Sequence, residues 1–192
     1  MTGRDTILSA VKNNRPSPRP LPVMDYHGFT NNDDLVNRFS HQLHLGGGEF
    51  IQLKGATALQ QFIDEKKIGD KLVLDMIGGA DSLDAMAPDI NHLDKLYQVF
   101  IEGSLAVAEN GAVWVKELSM GSRLLPFITE ELFLIIDPRQ LVASMHDAYE
   151  RISKDQTGFG TFIAGPSKTA DIEQSLVIGA HGPKRLTVIM VL

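Results

Sequence analysis

The residues best able to do chemistry in this sequence form a short run near its end. Ser167, Lys168 and Thr169 place two hydroxyls and one ammonium side by side, shortly after Gly165. The Gly-Pro pair there ends a strand, and Ser167 or Thr169 can cap a following helix with Asp171 in its first turn. Free backbone N–H groups at that helix start, with the ammonium, would suit a carboxylate or phosphate. A capped helix with a surface lysine explains the same residues equally well.

Two further side chains could serve such a site. Arg123 could bind a carboxylate through two hydrogen bonds, although an ordinary solvated arginine fits the position too. His181 follows the expected helix and could carry a proton near neutral pH. A histidine at a helix C-terminus can also act only as a favourable end charge, so both alternatives stay open.

Glu109 is a candidate nucleophile in a predicted β-hairpin. Asn110 and Gly111 stand between two β-rich segments, which is the strongest short-range hairpin signal. The string from Ala108 to Gly111 resembles the Ser-Glu-Asn-Gly motif of family I CoA transferases, whose glutamate attacks a thioester to form an acyl-enzyme. Alanine replaces the serine here, and a hairpin turn needs no catalytic role to explain it.

Ligands of open α/β sheets bind outside the carboxyl ends of the strands. We therefore expect residues 165–169, the loop 119–123 and the hairpin turn at Glu109 to meet there. A single site requires their charged groups to lie within hydrogen-bond reach of one ligand. Charged side chains that lie far apart, with no cleft between them, would exclude a shared site.

Composition and charge exclude several classes of function. The 192 residues carry a formal net charge of −6 without a basic run, which argues against a nucleic-acid partner. The absence of cysteine excludes disulfides, a cysteine nucleophile, a thiolate zinc site and iron–sulfur ligation by this chain. The N-terminus lacks a signal-peptide apolar region, and no apolar run approaches the ~18 residues that span a bilayer. We expect a cytoplasmic protein with no membrane segment.

No metal site is predicted. His41 and His44 lie three residues apart on an expected helix, a spacing that could ligate a metal, but no third ligand is adjacent. The acidic segment after Gly78 and Gly79 lacks a recognised cation-binding spacing. That glycine pair could cradle a phosphate, but a tight turn explains it better because acidic residues follow. The aspartates of this segment are Asp81, Asp84 and Asp89.

Strands and helices alternate along most of the chain. This order predicts an α/β fold with a mainly parallel sheet, helices on both faces and one inserted β-hairpin. The last strand is apolar throughout, as expected inside a sheet that helices cover. The expected helices span residues 5–14, 33–45, 57–66 and 137–152, with a short one after residue 167. The expected strands span 49–53, 72–76, 132–136, 161–164 and 186–192.

The N-terminal residues are predicted to stand apart from this domain. Residues 15–22 read RPSPRPLP, and such a proline-rich run favours an extended linker. We expect a helix and Pro-rich arm over residues 1–22 and an α/β domain over residues 23–192. The arm could dock on a second copy of the chain, which would make a homo-oligomer.

Two linked strings near the C-terminus resemble a known family. GPSKTADIE at residues 165–173, followed by G-x-H-G-P at residues 179–183, is similar to the closing signature of the LUD family, the lactate-utilisation protein C group. The resemblance extends from about Phe39 over most of the chain. It implies the fold shared by ribose-phosphate isomerases, glucosamine-phosphate deaminases and CoA transferases. At the hairpin turn the family more often reads Glu-Thr-Gly-Thr, so Asn110 and Ala112 depart from its pattern.

The resemblance also implies a function. It indicates a subunit of a system that oxidises L-lactate to pyruvate together with iron–sulfur partner proteins. This chain would bind a small anionic substrate or cofactor, with residues 165–171 and Arg123 as candidates, and would carry no cluster itself. The alternatives are an acyl-CoA transferase or hydrolase that uses Glu109, a non-catalytic anion-binding regulator, and a structural partner in a complex.

Overall fold

The computed structural model describes residues 2–22, 25, 34–67, 69–78, 96–153, 158–170 and 176–192. A sheet of five parallel strands forms its centre, which confirms the predicted mainly parallel α/β fold. The strands are β1 (Glu49–Leu53), β2 (Leu72–Asp75), β3 (Leu96–Glu102), β6 (Glu131–Ile136) and β11 (Arg185–Val191). Their order is β1-β11-β6-β3-β2, so the apolar C-terminal strand lies inside the sheet as predicted.

The described residues of the first third of the chain form three helices, close to the predicted spans. They are α1 (Gly3–Asn13), α2 (Leu35–Leu45) and α3 (Gly55–Lys66). Helix α1 has no buried residue, whereas α2 buries Phe39 and Leu43. The helix predicted to begin at Thr57 begins two residues earlier, at Gly55, and has no side-chain cap.

A second sheet contains the predicted hairpin. Its strands are β4 (Leu105–Val107), β5 (Ala112–Lys116), β7 (Leu141–Val142) and β8 (Gly160–Ile163), in the order β7-β4-β5-β8. Strands β4 and β5 pair antiparallel around the Asn-Gly turn, which confirms the hairpin. The hairpin is the middle of this sheet and not an isolated insertion. Two short helices, α4 (Glu117–Met120) and α5 (Leu125–Ile128), lead back to β6.

The helix predicted over residues 137–152 begins later than expected. Asp137 does cap a helical turn, but only a 3₁₀ turn over Pro138–Gln140. Leu141 and Val142 then pair with β4, because this places both apolar side chains in the interior. The α-helix proper is α6 (Met145–Ser153).

The helix predicted after Ser167 is wrong. The described residues there form two antiparallel strands, β9 (Lys168–Ala170) and β10 (Leu176–Ile178). Thr169 pairs with Val177, and such β-branched residues fit an extended ladder better than a helix. Asp171 lies outside the described residues. An anion site built on a helix N-terminus at this point is therefore not supported.

The layers pack around the parallel sheet. Helix α3 covers one face with Leu59, Phe62 and Ile63. The other face packs against α2 and the second sheet, whose far side is covered by α6 through Ala148. In the part of the chain that the structure describes, no helix is long and apolar enough to cross a membrane.

Candidate functional site

The two strings that carry the family resemblance meet in space. The N–H of Ser167 donates to the carbonyl of Pro183 at 2.9 Å, and the N–H of Gly179 donates to the carbonyl of Ser167 at 3.0 Å. A Cβ on Gly182 would lie 2.9 Å from Cβ of Ser167, so only glycine fits this approach. The base of the β9–β10 hairpin and the loop before β11 therefore form one unit, the motif junction (residues 165–168 and 179–183).

The motif junction is attached to the end of α2. The Lys168 ammonium donates to the carbonyl of Gly46, the residue that ends α2, at 2.5 Å. Gly165 has φ +74°, and a Cβ there would lie 2.4 Å from the same carbonyl oxygen. A cation at a helix C-terminus is favourable because the helix dipole is negative there. Lys168 thus has a clear structural role, and its exposed ammonium keeps further donors for an anion.

The hairpin turn lies beside the motif junction. Strand pairing sets Val113 opposite Ile163, so the turn and Gly165 lie at the same end of the second sheet. Gly111 also packs on α2, where its Cβ would come within 2.6 Å of the Leu43 nitrogen.

Glu109 itself is engaged in a structural contact. Its carboxylate accepts a hydrogen bond from the N–H of Met145, the first residue of α6, at 2.8 Å. A carboxylate at a helix start accepts a hydrogen bond from an otherwise unpaired N–H group and interacts favourably with the positive end of the helix dipole. The exposed Glu109 therefore caps α6 in this structure.

The motif junction lies at the end of the parallel sheet opposite to the one predicted. Residues 179–183 lead directly into β11, and Gly46 precedes β1, so both mark amino ends of strands. The expectation of a site at the carboxyl ends is wrong for these residues. A loop that immediately precedes a parallel strand must lie at the amino end of that strand. The order of residues 179–183 and the last strand in the sequence was therefore enough to predict this position.

Arg123 does not join the motif junction. Its Nε donates to the Glu117 carboxylate at 2.6 Å, and its guanidinium lies 4.5 Å from the ring centre of Phe159. The hydrogen bond lowers the pKa of Glu117 and raises the pKa of Arg123. This contact lies beside Gly160, at the end of the β5–β8 pair opposite to Ile163. The two ends are three residues apart, which corresponds to roughly 10 Å along a strand. Of the three segments that were expected to meet, the loop with Arg123 therefore lies apart from the other two.

His181 lies at the rim of a cavity that the motif junction forms together with α5. The imidazole is exposed, and the cavity of about 480 Å³ lies between α5 and the loop before β11. Phe127 and Ile128 provide apolar walls, while Lys184 forms an ion pair with Glu130 at 3.4 Å. This setting gives His181 access to solvent and to a small molecule without fixing a proton-transfer partner for it.

No metal site is present among the described residues, since they contain no group of three His, Cys, Asp or Glu side chains placed to hold an ion. On α2 the His44 ring contacts the carbonyl of Ser40 at 2.6 Å, and His41 is exposed. The predicted acidic segment with Asp81, Asp84 and Asp89 lies outside the described residues.

A buried polar network was missed at the sequence level. The Glu131 carboxylate accepts hydrogen bonds from the hydroxyl of Tyr97 at 2.6 Å and the amide of Gln98 at 2.7 Å. Arg185 forms an ion pair with the same carboxylate and donates to the Tyr97 hydroxyl at 2.9 Å. The sequence signal for this network was a set of polar residues at the starts of otherwise apolar strands. Polar residues are unusual in a buried parallel sheet.

Comparison with known proteins identifies the family. The sequence pattern of the LUD domain matches residues 37–191. The chain belongs to the LUD domain family. Lactate utilization protein C of Shouchella clausii is 37% identical in a match that covers 98% of this chain and 97% of that protein. Lactate utilization protein C of Oceanobacillus iheyensis is 34% identical over 93 residues, which cover 45% of this chain and only 40% of that protein.

The fold of the family has also been seen in a solved structure. The crystal structure of a DUF162 family protein from Deinococcus radiodurans matches with a TM-score of 0.65 and 18% identity. The match covers 84% of this chain and 99% of that chain. At this identity the likeness shows the shared fold alone.

Proposed function

We propose that this chain is a cytoplasmic subunit of a lactate-utilisation system, in which L-lactate is oxidised to pyruvate together with iron–sulfur partner proteins. The observation that carries the proposal is the likeness to the Shouchella clausii protein over nearly the whole of both chains. The chain has no cysteine, so the partners would hold the clusters that accept electrons.

The role assigned to this chain is to bind a small anion at the motif junction. Lys168 offers an ammonium and Ser167 a hydroxyl, and both stand on a backbone fixed by Gly165 and Pro183. An ammonium that already donates to one carbonyl can still donate to a carboxylate or phosphate, because it has three N–H groups. Thr169 and Asp171 complete the set of candidates from the sequence. An anion bound there without turnover would make the chain a regulator.

Acyl transfer through Glu109 has less support. The contact between its carboxylate and the N–H of Met145 accounts for a glutamate at this position without a catalytic role. A nucleophilic Glu109 would form an adduct that hydroxylamine releases, and Glu109→Gln would abolish the activity. A thermal-shift screen against CoA thioesters tests this alternative directly.

The direct test is affinity capture from a native, anaerobic lysate. The tag belongs at the N-terminus, because the C-terminal strand lies inside the sheet. We expect iron–sulfur proteins to co-purify and their visible absorbance to bleach when L-lactate is added. Lys168→Met should reduce that response, and Lys12→Met on the exposed α1 is the matched control. Capture of the folded chain without iron or bleaching would contradict the proposal.

A further inference from the structure

Helix α1 carries an apolar stripe that is exposed to solvent. Ile7, Leu8 and Val11 share one face of the helix, and their side chains are 66%, 46% and 56% exposed. A capping box formed by Thr2 and Asp5 starts the helix. A helix of eleven residues is nevertheless only marginally stable in water without tertiary packing. We therefore expect this stripe to pack against another apolar surface.

A proline-rich spacer follows α1 in the chain. Residues 15–22 contain four prolines and form no helix or strand. Such a run is a semi-rigid spacer with a rise of about 3.1 Å per residue, which gives about 25 Å over this segment. A stiff spacer holds α1 away from its own α/β domain, and α1 accordingly has no buried residue. The surface that covers its apolar stripe is therefore expected on another molecule.

The α/β domain exposes a second apolar stripe, which we call the α5 stripe (Leu124, Phe127 and Ile128). The N–H groups of Phe127 and Ile128 donate to the carbonyl of Leu124, so the three side chains lie on one helical turn, and all three are exposed. Phe127 and Ile128 line the cavity of about 480 Å³ between α5 and residues 179–182. Three of those four residues are glycine or alanine, which allow the backbone of a helix to approach closely.

The distribution of charge favours contact between the N-terminal segment and the domain of a second copy. Residues 1–22 contain four Arg or Lys and one Asp, so they carry a formal charge of +3. The whole chain carries −6, which leaves −9 on residues 23–192. Opposite net charges attract and speed association. At the cavity itself Glu130 is paired with Lys184, so an apolar side chain can enter without leaving either charge unpaired.

We propose that α1 of one copy docks on the α5 stripe of a second copy, with its apolar residues in the cavity between α5 and residues 179–182. An amphipathic helix that lays its apolar face in an apolar groove is a recurring mode of recognition. Because every copy carries both surfaces, two copies exchange their helices about a two-fold axis, and the exchange doubles the buried area. The inference does not rest on the proposed function, since it needs neither lactate nor iron–sulfur partners.

Disulfide cross-linking of the full chain tests which copy receives the helix. The chain contains no cysteine, so introduced cysteines report the contact without background. Tagged Val11→Cys chains mixed with untagged Phe127→Cys chains should form a covalent species of one tagged and one untagged chain, because a disulfide requires closely spaced Cβ atoms. Ser9→Cys, on the opposite face of α1, is the matched control and should give little of this product. Absence of the mixed species would overturn the inference, as would a Val11→Cys/Phe127→Cys double variant that links within single chains at every dilution.

Sedimentation velocity measures the consequence for the assembly. The wild type should sediment with the mass of two chains of 21.1 kDa. Val11→Glu and Phe127→Glu each place an unpaired charge in the contact and should shift the mass to that of one chain. Ser9→Glu on α1 and Tyr149→Glu on α6, which also alter exposed residues, should keep the dimer. A single-chain mass for the wild type at submillimolar concentration would overturn the inference, as would a dimer that survives both Val11→Glu and Phe127→Glu.

Discussion

The two faces of the parallel sheet are built from alternate residues of the same strands, yet they differ in character. One face carries only apolar side chains on its inner strands and is covered along its length by α2 and the second sheet. The other face is apolar where α3 covers it and polar at its amino end, where Gln98, Glu131 and Arg185 lie. The difference indicates that the first face contributes more to the stability of the fold than the amino end of the second face does.

Truncation of a side chain on the wholly apolar face should cause the largest loss of unfolding free energy. Leu134 lies in the middle of β6 with no exposed surface, among side chains from β3, β11 and the second sheet. Leu134→Ala should lower the free energy of unfolding by about 2–5 kcal/mol, because it removes buried surface and leaves a cavity. Urea denaturation followed by circular dichroism measures this. A loss below about 1 kcal/mol would mean that this face is not the main source of stability.

Substitutions at the polar end of the other face should lower the free energy of unfolding through the loss of hydrogen bonds. Glu131→Gln keeps the size of the side chain but removes the charge that Tyr97 and Arg185 contact. We expect a loss of about 1–3 kcal/mol, the range for a charge-assisted bond whose donors lose their acceptor. The same denaturation experiment measures it, and Glu130→Gln, next to it but exposed, serves as the control. Equal effects of the two variants would contradict a special role for the network.

The helix that covers the apolar face is held by Lys168. Lys168→Met removes the cation that contacts the last carbonyl of α2. The expected loss is about 0.3–1 kcal/mol, because such an end charge is exposed and screened. Lys12→Met, on an exposed helix, should change the unfolding free energy less. A larger loss than that of Glu131→Gln would reverse the expected order of the two faces.

The two ends of β6 carry carboxylates in opposite settings, and the exposed one should have the smallest effect. Side-chain and then backbone hydrogen bonds from Arg139 lower the pKa of Asp137 from 3.8 to about 2. A lowered pKa in the folded state adds stability above pH 3.8, and this is lost as the pH falls toward about 2. Thermal melts across this interval should show a small acid-dependent decrease that Arg139→Ala reduces but does not abolish, since the backbone N–H of residue 139 still donates to Asp137. An unchanged decrease in the variant would show that another group causes it.

The sequence predicted the strands well because their apolar runs are strong signals. The runs at 132–136 and 186–192 became β6 and β11, and the Asn-Gly turn became the β4–β5 hairpin. Local helix propensity predicted the wrong element where pairing with a distant strand decided the structure. Leu141 and Val142 left the expected helix to pair with β4, and Ser167 to Thr169 became part of a hairpin although their side chains also suit a helix cap.

The candidate site was predicted only in part. Ser167, Lys168 and His181 lie in one junction of two motifs, whereas the sequence had led us to expect Glu109 and Arg123 as the neighbours of Lys168. Arg123 is at the other end of the second sheet, since its place depends on the register of β5 with β8. The network around Glu131 depends on three strands far apart in sequence, so no local pattern could show that Gln98 lacks a partner.

The most direct test of the difference between the two faces is the unfolding free energy of the double variant Gln98→Leu/Thr187→Val. Both changes replace buried polar side chains by apolar ones of similar size on inner strands. If the polar end of this face contributes less to stability than the apolar face, the double variant should lose less than about 2 kcal/mol. Removal of the unpaired Gln98 oxygen offsets part of the loss of the hydrogen bond that the Gln98 amide donates to Glu131. A loss as large as that of Leu134→Ala would show that the polar residues hold the fold together, and would contradict the account.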